Sequence, residues 1–412
     1  MPENAQKPRK NLEKPKKYIT ERIKVEKLIP GGQALGTLES GKKIFLWNAL
    51  PGELVADIEI TKSKSSFEEG IAETILAPSP DRIAPEDACY LSTSPWQIIR
   101  YETELEQKRA LVIELLRQHQ IELPKDVAVA SVQTDGQDFY YRNKMEYSLY
   151  FDHTDEKIHL AFRARGSHRK VPIAQSSLER PEILQEAQST DDRLNAEHAE
   201  ARRFQSLLLR ASQDGTVSGG LFENHRPHPR FPNLHDTILG HEYSYSPNGF
   251  FQINLPVYEL ALREIAQHVQ TARVLDLYAG VGTIGLSVAR DHQLTLVECD
   301  KSAYRELEAN CNGTSAQPVY TRSEEALEYI APDQTVILDP PRAGCRPELL
   351  GKLLDVTPPT IIYLSCNPAT QARDVKILLE KYRIRSVTPF NFFPRTPHIE
   401  NLIILERIKN AA

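Results

Sequence analysis

The alternation of hydrophobic and polar positions changes character three times along the chain. From Tyr18 to about Ala77, runs such as ITERIKVEKLI, KKIFLW and ELVADIEITK are split by PGGQALG and ALPGE turns. Short half-buried strands read this way, and together they predict a small β-barrel. The Pro-rich APSPDRIAPED follows. Beyond it, Leu105, Leu111, Val112, Leu115 and Leu116 recur at helical spacing and predict an amphipathic helix over 95–119 that packs on the last domain. YYRNKMEYSLYF, KIHLAFRARG and KVPIA read as strands, Leu184–Arg210 as helix, and the Gly-, Pro-, His- and Asn-rich stretch Asp214–Ser246 as irregular. From about Asn254 the pattern becomes that of a doubly wound α/β domain. RVLDLY, LTLVEC, TVILDP and TIIYLS are continuous apolar runs of the buried parallel type, each followed by a helix-like segment.

Length and composition sharpen this outline. A chain of 412 residues has room for two or three domains. The divisions expected are a disordered basic tail (1–16), a barrel (17–77), a central β-rich region (78–245) and the α/β domain (246–412). A net charge of -6 excludes a surface that is basic throughout, and leaves room for local basic stretches that guide a nucleic acid. No apolar run approaches the ~20 residues of a membrane span, and the basic N-terminus lacks the apolar segment of a secretory signal. We therefore expect a cytoplasmic protein with no membrane partner. Its five cysteines, with no paired spacing, are expected to be reduced thiols.

Candidate chemistry gathers in the α/β domain. RVLDLY runs into Ala279-Gly280-Val281-Gly282-Thr283-Ile284-Gly285, a G-x-G-x-x-G turn in strand–turn–helix context. Gly280 and Gly282 would let the backbone approach a ligand, although a tight turn needs none. Glu298 ends the next strand about 20 residues on, where a carboxylate accepts the ribose hydroxyls of an adenosine. Asp339-Pro340-Pro341-Arg342 ends TVILDP at the carboxyl edge where ligands of open sheets bind. These signals favour an adenosine-bearing cofactor and do not separate S-adenosylmethionine from NAD. Cys366 ends TIIYLS just before a helix expected near Pro368, where the helix dipole favours thiolate. In FFPRTPHIENLIILER, Glu400 is either a partly desolvated base or an ordinary exposed glutamate. His225, His228 and His235 read as loop residues, and no metal site is expected.

The chain resembles the RNA uracil-5-methyltransferases, which modify ribosomal RNA or the T-loop of transfer RNA. Residues 18–77 resemble the OB-like TRAM domain, YRNKMEYS and FRARGSHRKVPI the central RNA-binding region, and SPNGFFQIN the lead-in to catalysis. LDLYAGVGTIGL, LDPPRAG, LSCNPAT and PHIENLIILER resemble the four catalytic blocks in order. The resemblance implies a Rossmann-like class I methyltransferase domain behind the barrel and the central domain. It implies that Gln252, Tyr278, Glu298 and Asp339 bind S-adenosylmethionine, that Cys366 is the nucleophile and that Glu400 accepts the proton. The implied partner is RNA, ribosomal ahead of transfer RNA because the N-terminal barrel is present, with the enzyme working as a monomer. One departure stands out. Many members hold an iron–sulfur cluster through a central group of cysteines, whereas CYLSTSPWQII keeps only Cys89, no further cysteine occurs before Cys299, and AQSSLE carries serines. We expect no cluster here.

Overall fold

The computed structural model describes residues 17–167, 169–173 and 175–408; the tail read as disordered, 1–16, lies outside them. The chain divides into two compact units, one reaching to Ile29 and resuming over Gln33–Arg82, the other made of Pro30–Gly32 and the chain from Ile83 onward. In the first, seven short strands between Tyr18 and Ala77 form one sheet, antiparallel except where Lys43–Trp47 runs parallel to Phe67–Ala77. Alternate residues point inward, so Ile23, Ile44, Leu46, Val55 and Ile58 make its core. Glu53 is buried beneath them, where Arg82 donates two hydrogen bonds (2.6 and 2.8 Å) and the backbone N–H groups of Leu50 and Ser79 donate two more (2.8 and 3.0 Å).

The second unit opens with an antiparallel sheet in the order Lys170–Pro172, Lys157–Arg163, Lys144–Asp152, Phe204–Ala211, Val217–Glu223. The helix Pro181–Ala196 lays Ile183, Ala187 and Leu194 on it. Two expectations are corrected here. The helix read over Leu184–Arg210 stops at Ala196, and Phe204–Ala211 is a strand. The apolar heart of FQSLLLRA, Leu207–Leu209, is too short for periodicity to separate a strand from a buried helix. The stretch read as irregular, Asp214–Ser246, holds the strands Val217–Glu223, Leu234–Ile238 and His241–Tyr245. Its glycines concealed them: Gly219 sits at φ 136°, and a Cβ there would lie 2.1 Å from the Leu208 carbonyl oxygen, so only glycine lets these strands pair.

The α/β domain follows with β1 (Arg273–Leu277), β2 (Gln293–Glu298), β3 (Gln317–Tyr320), β4 (Gln334–Leu338), β5 (Thr360–Ser365), β6 (Tyr382–Phe390) and β7 (Glu400–Arg407). The sheet order is 3-2-1-4-5-7-6, with β1 to β5 parallel and β7 antiparallel to both its neighbours. Helices α1 (Leu255–Gln267), α2 (Thr283–Val288), α3 (Lys301–Asn310), α4 (Pro347–Val356) and α5 (Pro368–Leu378) accompany it. This is the class I methyltransferase architecture. The amphipathic helix runs over Tyr101–Gln118 and packs against α5 and β6. It buries Leu111, Val112, Leu115 and Leu116 together with two charged residues, Glu104 and Lys108. Among the described residues, no helix is long and apolar enough to cross a membrane.

Candidate active site

Strand order and register bring the predicted residues to one edge. Leu277 of β1 pairs with Val297 of β2 and Leu338 of β4, so Tyr278, Glu298 and Asp339 follow side by side at the carboxyl ends. Ser365 of β5 pairs with Asn401 of β7, and because β7 runs the other way, the next position sets Cys366 opposite Glu400. Four parallel strands and one antiparallel strand thus deliver five polar side chains to one line. The order reverses between β1 and β4, where a crevice opens in sheets of this kind.

A cavity of about 800 Å³ occupies that crevice. Its lining includes Gln252, Tyr278, Gly280, Glu298, Asp339, Cys366 and Glu400, which are seven of the eight predicted site residues. Gly282 does not line it. At φ 89° Gly282 is the N-cap of α2, and a Cβ there would meet Leu307 at 2.6 Å, so its role is packing. Gly280 has open space where its Cβ would be, as a backbone facing a ligand requires. Tyr278 holds a left-handed φ of 64°, anchored by its N–H to Ser323 Oγ (3.1 Å) and its hydroxyl to Glu324 Oε1 (3.0 Å). Glu298 accepts from the backbone N–H groups of Gly280 (2.8 Å), Cys299 (2.7 Å) and Asp300 (2.5 Å), which fixes its carboxylate while leaving lone pairs for further donors.

Gln252 reaches the cavity from outside the sheet. Its loop is held by the central region: Asn143 Nδ2 donates to the Gln252 carbonyl (3.0 Å), Lys144 Nζ to Gly249 (3.0 Å) and the buried Arg210 to Phe251. Two loops of the sheet edge are likewise tied together. Asn367 Nδ2 and Thr370 Oγ1 both donate to the Arg342 carbonyl (2.9 and 3.1 Å), and Asp374 accepts from the Cys345 N–H (2.8 Å). The quoted LDPPRAG and LSCNPAT blocks are therefore halves of one fastening.

Electrostatics correct one expectation. The dipole of α5 was expected to favour the Cys366 thiolate, yet the thiol is pushed up to about 11. Burial is the largest cause, followed by Glu400 and Asp339, and the Arg342 guanidinium opposes them. Glu400 is 3% exposed, which removes the exposed-glutamate alternative; burial first and then Asp339 raise its carboxyl well above the ordinary range. Burial lifts Asp339 to about 7, although its side chain looks onto the cavity. His398 is exposed by area at the cavity rim, yet partial desolvation and then Arg342, Lys108, Arg142 and Arg165 lower it to about 4. Exposure weakens the first cause and leaves the four cations pointing the same way, so the ring is neutral near pH 7.

Sequence reasoning gave no role to Phe250, Tyr258, Arg342 or Phe393, which also line the cavity. Phe250 is 72% exposed, an apolar ring in a Gly/Asn-rich loop, and that mismatch was the signal available.

A family model described as tRNA (Uracil-5-)-methyltransferase matches residues 319–408, the segment with Asp339, Cys366 and Glu400. An uncharacterized RNA methyltransferase of Lactobacillus johnsonii is 29% identical over 91% of this chain and 96% of its own length. One from Thermotoga maritima is 26% identical over 94% and 99%. Over nearly its whole length the chain is thus similar to RNA methyltransferases, and its segment 319–408 to the tRNA (uracil-5-)-methyltransferase family. The crystal structure of the Pyrococcus abyssi tRNA (uracil-54, C5)-methyltransferase with S-adenosyl-L-homocysteine has this fold, with a TM-score of 0.73 at 23% identity over 93% of this chain and 99% of that one. Family members draw their methyl group from S-adenosylmethionine, and the cavity fits it: an open glycine, a fixed carboxylate ending β2 and room for an adenosine. The region of Cys89 does not fit an iron–sulfur cluster. Asp87 there accepts from Gln97 (2.8 Å) and from the Ser177 hydroxyl (2.9 Å), and burial lifts the Cys89 thiol to about 11. Among the described residues no group of three or more His, Cys, Asp or Glu could hold a metal ion. His225, His228 and His235 are exposed.

Proposed function

We propose that this methyltransferase modifies carbon 5 of a uridine in RNA, with Cys366 as nucleophile and Glu400 as base. The observation that carries the reading is the meeting, in one cavity, of a thiol, two carboxyls of raised proton affinity and the β2 carboxylate Glu298. Gln252, Tyr278, Gly280, Glu298 and Asp339 would hold S-adenosylmethionine, which supplies an electrophilic methyl group on a positively charged sulfur.

The remaining steps belong to the chain's own residues. Carbon 5 of uracil is too weak a nucleophile unaided. The Cys366 thiolate adds to carbon 6, forming an S–C bond and moving the double-bond electrons onto the ring carbonyl at carbon 4. The resulting enolate makes carbon 5 nucleophilic, and carbon 5 takes the methyl group. Glu400 then removes the proton from carbon 5, and the freed electron pair restores the double bond and expels the thiolate. A thiol at about 11 is protonated in the free enzyme. Positive charge brought into the cavity offsets Asp339 and Glu400, so ionisation belongs to the loaded enzyme. The base must leave its stack to reach Cys366, and the exposed Phe250 ring offers it a face.

Large-subunit ribosomal RNA is the first substrate reading, on account of the N-terminal sheet. The T-loop of transfer RNA is the second, supported by the description of the matching family model and by the tRNA-modifying Pyrococcus enzyme whose fold covers 93% of this chain. Incubation with S-adenosylmethionine and RNA containing 5-fluorouridine tests the chemistry, because fluorine cannot leave carbon 5 as a proton does. Wild type should form a denaturant-stable protein–RNA adduct and Cys366→Ala none. Methylation of ordinary RNA by a wild type that fails to trap would reject the mechanism. Mapping 5-methyluridine in ribosomal and transfer RNA of a deletion strain separates the substrates.

A further inference from the structure

The Tyr101–Gln118 helix buries an ion pair that the chemistry above does not use. Lys108 Nζ lies 2.9 Å from Glu104 Oε1, one turn away, and both side chains are 0% exposed. Both groups turn to the same distant segment, Asn391-Phe392-Phe393-Pro394-Arg395. Lys108 donates to Asn391 Oδ1 (2.6 Å) and to the Phe393 carbonyl (3.1 Å). Glu104 accepts from Asn391 Nδ2 (3.1 Å) and, through both oxygens, from the Arg395 N–H (3.1 Å each). Arg395 stands at a left-handed φ of 63°, its guanidinium donating to the Ile99 carbonyl (2.6 Å) and lying over the rings of Tyr101 and Phe139.

Stability is a poor account of such a pair. Taking two charges out of water costs several kcal/mol per ion, and apolar residues of the same volume commonly do as well. What the pair supplies is position. It satisfies the side chain of Asn391, the carbonyl of Phe393 and the N–H of Arg395, and so fixes a five-residue segment that ends in the left-handed Arg395. That segment puts Phe393 on the cavity wall and leads directly to His398 and Glu400. Cys366, Asp339 and Glu298 stand on other strands and make no contact with it through this pair.

We propose that Glu104 and Lys108 are positioning residues for the base: they set the 391–395 segment so that Glu400 meets the proton on carbon 5. The proposal rests on the function read above. It follows that losing the pair slows the final elimination far more than the thiol addition or methyl transfer. A displacement near 1 Å costs such a step roughly 100-fold.

The test uses the full-length enzyme, ordinary RNA substrate and S-adenosylmethionine labelled in the methyl group. Lys108→Met, Glu104→Gln and the apolar pair Glu104→Leu/Lys108→Met are compared with wild type for turnover and for labelled protein–RNA adduct on denaturing gels. Turnover is expected to fall about 10- to 100-fold, with adduct formed at a rate within about 3-fold of wild type and accumulating. Adding Cys366→Ala should abolish it. Lys108→Arg, which keeps the charge, should fold and recover part of the turnover. A parallel loss of adduct formation and turnover would overturn the proposal, as would unchanged turnover in the folded apolar pair. If the single variants do not fold, the apolar pair and Lys108→Arg decide alone. Failure of wild type to trap on 5-fluorouridine RNA would instead remove the functional reading itself.

Discussion

Two glutamates, buried almost equally, behave in opposite ways. Glu53 in the N-terminal sheet is 0% exposed and Glu400 at the edge of the α/β sheet is 3% exposed. Burial raises both. At Glu53 the hydrogen bonds from Arg82, Ser79 and Leu50 outweigh it, and the carboxyl ends below its ordinary value. At Glu400 burial is reinforced by Asp339, and Arg342 opposes it only in part. Depth therefore does not set the behaviour of a buried carboxyl; its partners do. A structural carboxylate is surrounded by donors and has no proton to exchange, whereas one facing a cavity beside a second carboxyl is kept ready to take one.

Three substitutions probe that contrast, in decreasing order of expected effect. Glu400→Gln removes the proposed base and keeps the shape. Turnover should drop roughly 10³-fold, with methylated adduct building up on Cys366; a Gln variant that turns over like wild type in steady-state assays would strip Glu400 of its role. Arg82→Leu leaves Glu53 buried without its cation and should destabilise the N-terminal sheet by about 3 kcal/mol, read from urea melts. Because the folded value of Glu53 lies below the unfolded one, its contribution is present above about 4.5 and disappears as pH falls through the folded value. An Arg82→Leu protein that loses no stability at pH 7 would make the pair incidental. The smallest effect concerns Asp276, which burial lifts to about 8 and whose Oδ2 accepts from Gly285 N–H (2.8 Å). Its folded value exceeds the unfolded one, so its contribution is complete below about 4 and is lost as pH rises toward 8. Asp276→Asn should match wild type at pH 4 and gain about 2 kcal/mol at pH 8. Parallel melting curves across that range would refute the assignment of a protonated Asp276.

Much of this was legible in the chain. The apolar runs ending in Tyr278, Glu298, Asp339 and Cys366 announce parallel strands whose carboxyl ends carry chemistry, because a strand buried on both faces has polar residues only where it emerges. Other features were hidden, each for a physical reason. The three consecutive leucines of FQSLLLRA fit a buried helix as well as a strand, and glycines masked the strand opposite it. The thiol of Cys366 was misjudged because the helix dipole is local to the sequence, while the two carboxyls that outweigh it come from β4 and β7 and are visible only in the sheet order. Glu104 and Lys108 drew no reading from the sequence, because their partners lie nearly 300 positions away.

The place of β7 has a consequence in time. It is made after every other strand of its sheet, yet it is inserted between β5 and β6 rather than added at the rim. While the chain is being synthesised, a nascent enzyme can own its thiol, its glycine turn and its β2 carboxylate before it has the proposed base. A thiolate that could add to uracil but not be released would tie the growing chain to RNA. Glu400 on β7 is among the neighbours that raise the thiol to about 11 in the finished protein, so the strand that brings the proposed base is also one that keeps the free thiol protonated.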